Sequence, residues 1–103
     1  MYITHVTFNL SGIDENAYSG AVKSLAPPYA QVPELISKVW IKQSDIGAYG
    51  GIYFWASKGD YEKYLKSDLY KAFSTHPNLV NVKTACYEDM PEGTLVTAGV
   101  CRF

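Results

Sequence analysis

The chain has 103 residues, 48% of them hydrophobic and 18% charged, with a net charge of −1. That balance is the one a folded globular domain shows, and it excludes a disordered, highly charged chain. There is no basic stripe to neutralise phosphates, so nucleic acid is not an expected partner. No apolar run approaches the ~20 residues of a membrane helix, so no membrane is expected either.

The length suits one domain over residues 1–103. The N-terminus lacks the basic flank and apolar core of a signal peptide. Cys86 and Cys101 show no zinc-ligand spacing. A cytoplasmic protein with reduced thiols and no metal is therefore the expectation. Nine tyrosines each bring a large apolar body with a polar tip, which suits a pocket wall.

Residues 2–10, YITHVTFNL, are β-branched and aromatic and predict a first strand. Val6, Phe8 and Leu10 share one face; Ile3, His5, Thr7 and Asn9 share the other. Asp14 is placed to cap a helix in which Ala17, Tyr18, Ala21, Val22 and Leu25 recur at helical spacing. Pro27-Pro28 is expected to end or kink that helix. Residues 35–43 and 50–56 predict two strands joined by a loop around Ser44 to Ala48, and Gly50-Gly51 marks a bulge or a close approach.

Ser57, with Asp60 three residues on, opens a helix whose face carries Tyr61, Tyr64, Leu65, Leu69, Ala72 and Phe73. The cap-like pair Ser67-Asp68 predicts an offset within it, and Pro77 ends it. Residues 79–88 predict a last strand. Residues 90–103 form a tail whose apolar pair, Leu95-Val96, calls for a partner to lie on.

The order βαββαβ predicts an α+β, ferredoxin-like sandwich with both helical segments on one face of the sheet. The other face is expected to carry Val6, Phe8, Leu10, Trp40, Ile52 and Phe54. A face that apolar is best covered by a second copy, so a homodimer is expected, with the tail packed on the partner.

Lys38-Val39-Trp40, a nine-residue spacer, Gly50-Gly51-Ile52-Tyr53 and a later helix holding Tyr64-Leu65 resemble the YdhR-type mono-oxygenase family. The segments Val22 to Ala26 and QVPELISKVW fit the same family without gaps. The resemblance implies a dimeric α+β barrel, as in the antibiotic-biosynthesis mono-oxygenases. In related anthrone-oxidising enzymes a Trp ends the third strand and a Tyr follows six residues later; here these are Trp55 and Tyr61. Their catalytic Asn falls on Gly51. In haem-degrading relatives the first-strand Asn falls on His5 and the haem-ligating His falls near Ser74, which speaks against haem.

By this resemblance Gly51, Tyr53 and Trp55 face the helices, and His5, Thr7 and Asn9 point into the same space. Val39 and Ile41 would form an apolar floor and Tyr61 and Leu65 part of the roof. The chemistry implied is cofactor-independent mono-oxygenation of a small electron-rich aromatic, an anthrone or hydroquinone, by O₂. His5 would take the substrate proton, since its unperturbed pKa is near ~6.5. Tyr53 and the Trp55 indole would donate to the developing oxyanion. A non-oxidative cyclase or isomerase on the same fold, and a non-catalytic binder of aromatic ligands, are the alternatives.

Overall fold

The structure, a computed structural model, describes residues 1–97. The elements run β1 (Tyr2–Leu10), α1 (Glu15–Ala30), β2 (Leu35–Gln43), a 3₁₀ turn (Ser44–Ile46), β3 (Ala48–Trp55), α2 (Lys58–Leu65), α3 (Asp68–Ser74), β4 (Leu79–Glu88) and α4 (Pro91–Val96). The four strands form one antiparallel sheet in the order β2-β3-β1-β4. This is the ferredoxin-like βαββαβ sandwich. Among the described residues no helix is long and apolar enough to cross a membrane.

The helix boundaries follow from their caps. Asp14 accepts a hydrogen bond from the Ala17 amide, Ser57 from Asp60 and Ser67 from Tyr70, so the N-termini of α1, α2 and α3 each have a side-chain acceptor for an otherwise orphaned donor. The Ser67 cap divides the second helical segment into α2 and α3, as the sequence predicts. The first helix, however, continues through Pro27-Pro28 to Ala30. The two prolines delete bonds to the carbonyls of Lys23 and Ser24, both exposed residues, so the lost donors do not leave a buried acceptor unpaired.

The core lies between the helices and one sheet face. Thr4, Val6 and Phe8 of β1 and Tyr49, Tyr53 and Trp55 of β3 are buried there, beneath Tyr18 and Tyr29 of α1 and Tyr64 of α2. So many polar-tipped aromatics require internal partners. The Tyr29 and Tyr64 hydroxyls bond at 2.6 Å, and the Trp55 indole donates to Thr4 Oγ1 at 3.2 Å. The Tyr49 hydroxyl donates to Glu15 at 3.0 Å. Among the described residues no buried side-chain polar atom lacks a partner.

The sheet phase corrects the sequence reading in β1 and β2. Tyr2 pairs with Trp55, Thr4 with Tyr53, Val6 with Gly51 and Phe8 with Tyr49, so these residues share the helix-facing side. His5 pairs with Ile52 and Thr7 with Gly50, on the opposite side. His5 and Trp55 therefore lie on different faces of the sheet. In β2 a register shift at Ile36 puts Lys38 opposite Tyr53 and Trp40 opposite Gly51, which leaves Val39 and Ile41 on the far side. Phe8 takes the helix side because its ring meets Tyr18 and Phe73, with centroids 5.7 and 5.8 Å away.

The far side consequently carries Ile3, His5, Thr7, Ile52 and Phe54, with Val39 36% and Tyr87 52% exposed. Of the residues expected there, Ile52 and Phe54 are on this face, whereas Val6, Phe8, Leu10 and Trp40 are on the other. In the tail, α4 leaves Leu95 and Val96 80% and 85% exposed. Residues 98–103, including Cys101, lie outside the described residues.

Candidate active site

Between the sheet and α1 and α3 lies a cavity of about 90 Å³ with an almost wholly apolar lining. Phe8, Trp40 and Tyr53 form its floor, and Tyr18 and Tyr29 its α1 wall. Leu69 and Phe73 close it from α3, while the exposed Leu25, Ala72 and His76 mark its mouth.

One charged group enters this aromatic box. Lys38 reaches in from β2, and its Nζ lies 3.5 Å from the Tyr29 ring centroid, 3.4 Å from that of Trp40 and 4.6 Å from that of Tyr53. Among the described residues the ion pairs are Met1 with Asp89 and Lys42 with Glu15, so no carboxylate pairs with Lys38. Burial lowers the Lys38 pKa to about 7. The three ring faces favour the ammonium and oppose that fall. An amine in this state exchanges its proton near neutrality.

Lys38 also lines a second hollow of about 290 Å³ along the β2 edge, with Ala26, Tyr29 and Ser37 on its walls. The Lys38 side chain thus borders both the cavity and the hollow at the edge of the sheet.

The hydroxyls nearby remain donors. Burial raises the pKa values of Tyr53, Tyr64 and Tyr29, and pushes Tyr18 up to about 12. Tyr29 and Tyr64 share a hydrogen bond, and Tyr53 stacks parallel to Trp55 with 5.9 Å between centroids. Among the described residues no three of His, Cys, Asp and Glu come together to hold a metal ion.

The residues singled out from the sequence divide three ways. Tyr53 lines the cavity. Gly51, Trp55, Tyr61 and Leu65 are on the helix side but behind it: Trp55 is fully buried, its N–H committed to Thr4, and Tyr61 packs on Trp55 and Tyr2. The space left by the missing Gly51 side chain is taken up by the chain itself. A Cβ there would meet Lys38 Cε at 3.0 Å and the Tyr53 ring at 3.3 Å.

His5, Thr7, Val39 and Ile41 are on the far face, which corrects their expected orientation. Asn9 is spent on the fold: its amide donates to the Gly47 carbonyl, and its oxygen accepts from Asn81. Sequence reasoning missed Lys38. The signal was present, since Lys38 is the one charge inside the apolar run LISKVWI and stands two residues from Trp40, hence on the same strand face.

Comparison with known proteins agrees with this architecture. A putative antibiotic biosynthesis monooxygenase from Deinococcus radiodurans superposes with a TM-score of 0.72 at 18% identity, covering 87% of this chain and 93% of that one. SnoaB from Streptomyces nogalater, described as a cofactor-independent oxygenase, gives 0.67 at 15% identity, covering 85% and 92%. A putative antibiotic biosynthesis monooxygenase from Nitrosomonas europaea gives 0.71 at 13% identity, covering 87% and 99%. At these identities the likeness establishes the fold. No curated protein matches the sequence. The family model described as "Putative mono-oxygenase ydhR" matches residues 3–100, and the chain belongs to that family.

Proposed function

We propose that the protein is a cofactor-independent mono-oxygenase of a small, electron-rich aromatic, and that the reaction runs in the cavity around Lys38. One observation carries the reading: an aromatic-walled, apolar cavity holds the Lys38 amine, with no acid paired to it among the described residues. A flat substrate stacks among the rings. The neutral amine takes a phenolic proton, and the resulting ammonium stays beside the phenolate it has made. The phenolate is electron-rich enough to pass an electron to O₂. Recombination forms a ring peroxide, which takes a proton from the ammonium; loss of the ring C–H proton then breaks the O–O bond, leaving one oxygen on the ring as a quinone carbonyl and releasing the other as water.

Size favours a single ring. A cavity of 150 Å³ takes up benzene, and the space here is about 90 Å³. A monocyclic hydroquinone needs the exposed Leu25 side chain at the mouth to give way. A three-ring anthrone needs the helices themselves to part from the sheet.

The far sheet face is proposed as the seam of a homodimer, with the tail from residue 90 onward reaching the partner. Its half-exposed Val39 and Tyr87 support this, and sedimentation at several concentrations tests it.

Oxygen uptake with a panel of hydroquinones and anthrones tests the activity. Hydroquinones should be consumed faster than anthrones. Lys38→Met should lower turnover by about 10²–10⁴-fold, the range for loss of a general base. His5→Ala, on the other side of the sheet, should leave turnover within about twofold. Product formed under strict anaerobiosis would replace the oxygenase with a non-oxidative enzyme in the same cavity.

A further inference from the structure

We infer that Lys38 is a carbonyl-reactive amine, which condenses with a small aromatic aldehyde or ketone to form an imine inside the aromatic box. This is a second activity, independent of oxygen, at a residue that serves the proposed oxygenase as a base. The geometry carries it. A nucleophilic amine needs a free lone pair, a carbonyl carbon within reach, and a dry site that keeps the imine from hydrolysis. Lys38 Nζ lies against three ring faces, and among the described residues no carboxylate pairs with it. The cavity beside it is walled for an aryl group, and the groove along the β2 edge gives a second approach to the nitrogen.

In the condensation the nitrogen lone pair attacks the carbonyl carbon, and the C=O electron pair moves to oxygen, which takes up a proton. The carbinolamine then loses its oxygen as water while the nitrogen gives up its remaining proton. No oxidant or reductant is required. Reprotonated at nitrogen, the imine withdraws electrons from the carbon it now joins, so an aryl ketone bound this way becomes easier to deprotonate beside that carbon.

The burial that lowers the Lys38 pKa to about 7 gives this amine a far larger neutral share at pH 7 than a surface lysine has. An exposed lysine with the ordinary pKa near 10.4 is neutral in only about one molecule in a few thousand. The Met1 amine is the main competitor, and it is ion-paired with Asp89 at 3.0 Å.

The test is reductive trapping. The protein is incubated at pH 7 with 4-hydroxybenzaldehyde and cyanoborohydride, and the attached hydroxybenzyl group is located by peptide mass spectrometry. Label on Lys38 should exceed that on any surface lysine by at least about 30-fold, in keeping with the difference in neutral fraction. It should rise with pH through a midpoint near 7, and be absent from the same peptide of Lys38→Arg. If that variant does not fold, competition settles the point in wild-type protein: excess hydroquinone, seated in the cavity, should protect Lys38 and spare the surface lysines.

Label spread over lysines in proportion to exposure, label concentrated on Met1, or no label at position 38 would each overturn the inference. Oxygen uptake is measured on the same sample. Uptake without labelling removes the imine and leaves the oxygenase standing; labelling without uptake does the reverse.

Discussion

Lys38→Met should make the protein more stable, and the gain should shrink as pH rises. The substitution keeps an apolar stem among the rings of Tyr29, Trp40 and Tyr53 and removes the charge. The amine titrates near 10.5 when exposed and at about 7 in the fold. Between those values the unfolded chain binds a proton that the folded chain does not, so wild-type stability rises with pH across that window. Below it both states are protonated, and the buried ammonium costs about 4–5 kcal/mol by linkage. At pH 9 about 2 kcal/mol of that remains.

The attraction of the ring faces, about 0.5–2 kcal/mol, offsets part of the low-pH penalty. The gain from Lys38→Met should therefore be about 1–2 kcal/mol larger at pH 6 than at pH 9. Comparing two pH values cancels the packing change from the new side chain, which is the same at both. Urea unfolding of wild type and variant at equal protein concentration reads the difference directly. Equal gains at the two pH values would mean that Lys38 keeps an ordinary pKa in the fold, and the neutral-amine chemistry at this site would fall with it.

Two further substitutions separate fold from site. Gly50→Ala should cost more than about 3 kcal/mol or abolish folding, because its Cβ would stand 1.8 Å from the Val6 carbonyl oxygen in the β1–β3 ladder; the neighbouring Gly51→Ala meets movable side-chain atoms of Lys38 and Tyr53 and should cost under about 1.5 kcal/mol, with thermal unfolding as the readout. Tyr29→Phe should cost about 1 kcal/mol through the orphaned Tyr64 hydroxyl, and adding Tyr64→Phe should cost less than the sum of the single changes, since the orphan leaves with it; additivity in a double-mutant cycle would deny the bond its role.

The elements were largely legible because local chemistry sets them. Asp14, Ser57 and Ser67 each cap the helix the sequence assigns to them, and the β2 and β4 boundaries agree with the runs read from composition. Phase was less legible, and the reason is physical. Both faces of this sheet carry apolar residues, so alternation alone does not say which face meets the helices. In β1 the choice falls to Phe8, which finds Tyr18 and Phe73 across the layer. In β2 it turns on the shift at Ile36, one irregular residue that reverses the orientation of every side chain after it relative to β3.

The phases of β1 and β2 together explain why the candidate site changed its chemistry and kept its place. A cavity beneath the helices with Tyr53 at its floor was expected, but with an imidazole from β1 and the floor of Val39 and Ile41; the register supplies Lys38 and Trp40 instead. A domain of this size is stable by about 5–15 kcal/mol in all, so an unpaired ammonium costing several kcal/mol is a large fraction of the whole. A structural role does not demand it, since a methionine would fill the same volume among the same rings without the charge. Such a penalty is the kind a site carries when activity needs a group that stability does not. The stability gain and the loss of turnover in Lys38→Met are therefore two readings of one property, the neutral amine, and they should appear together.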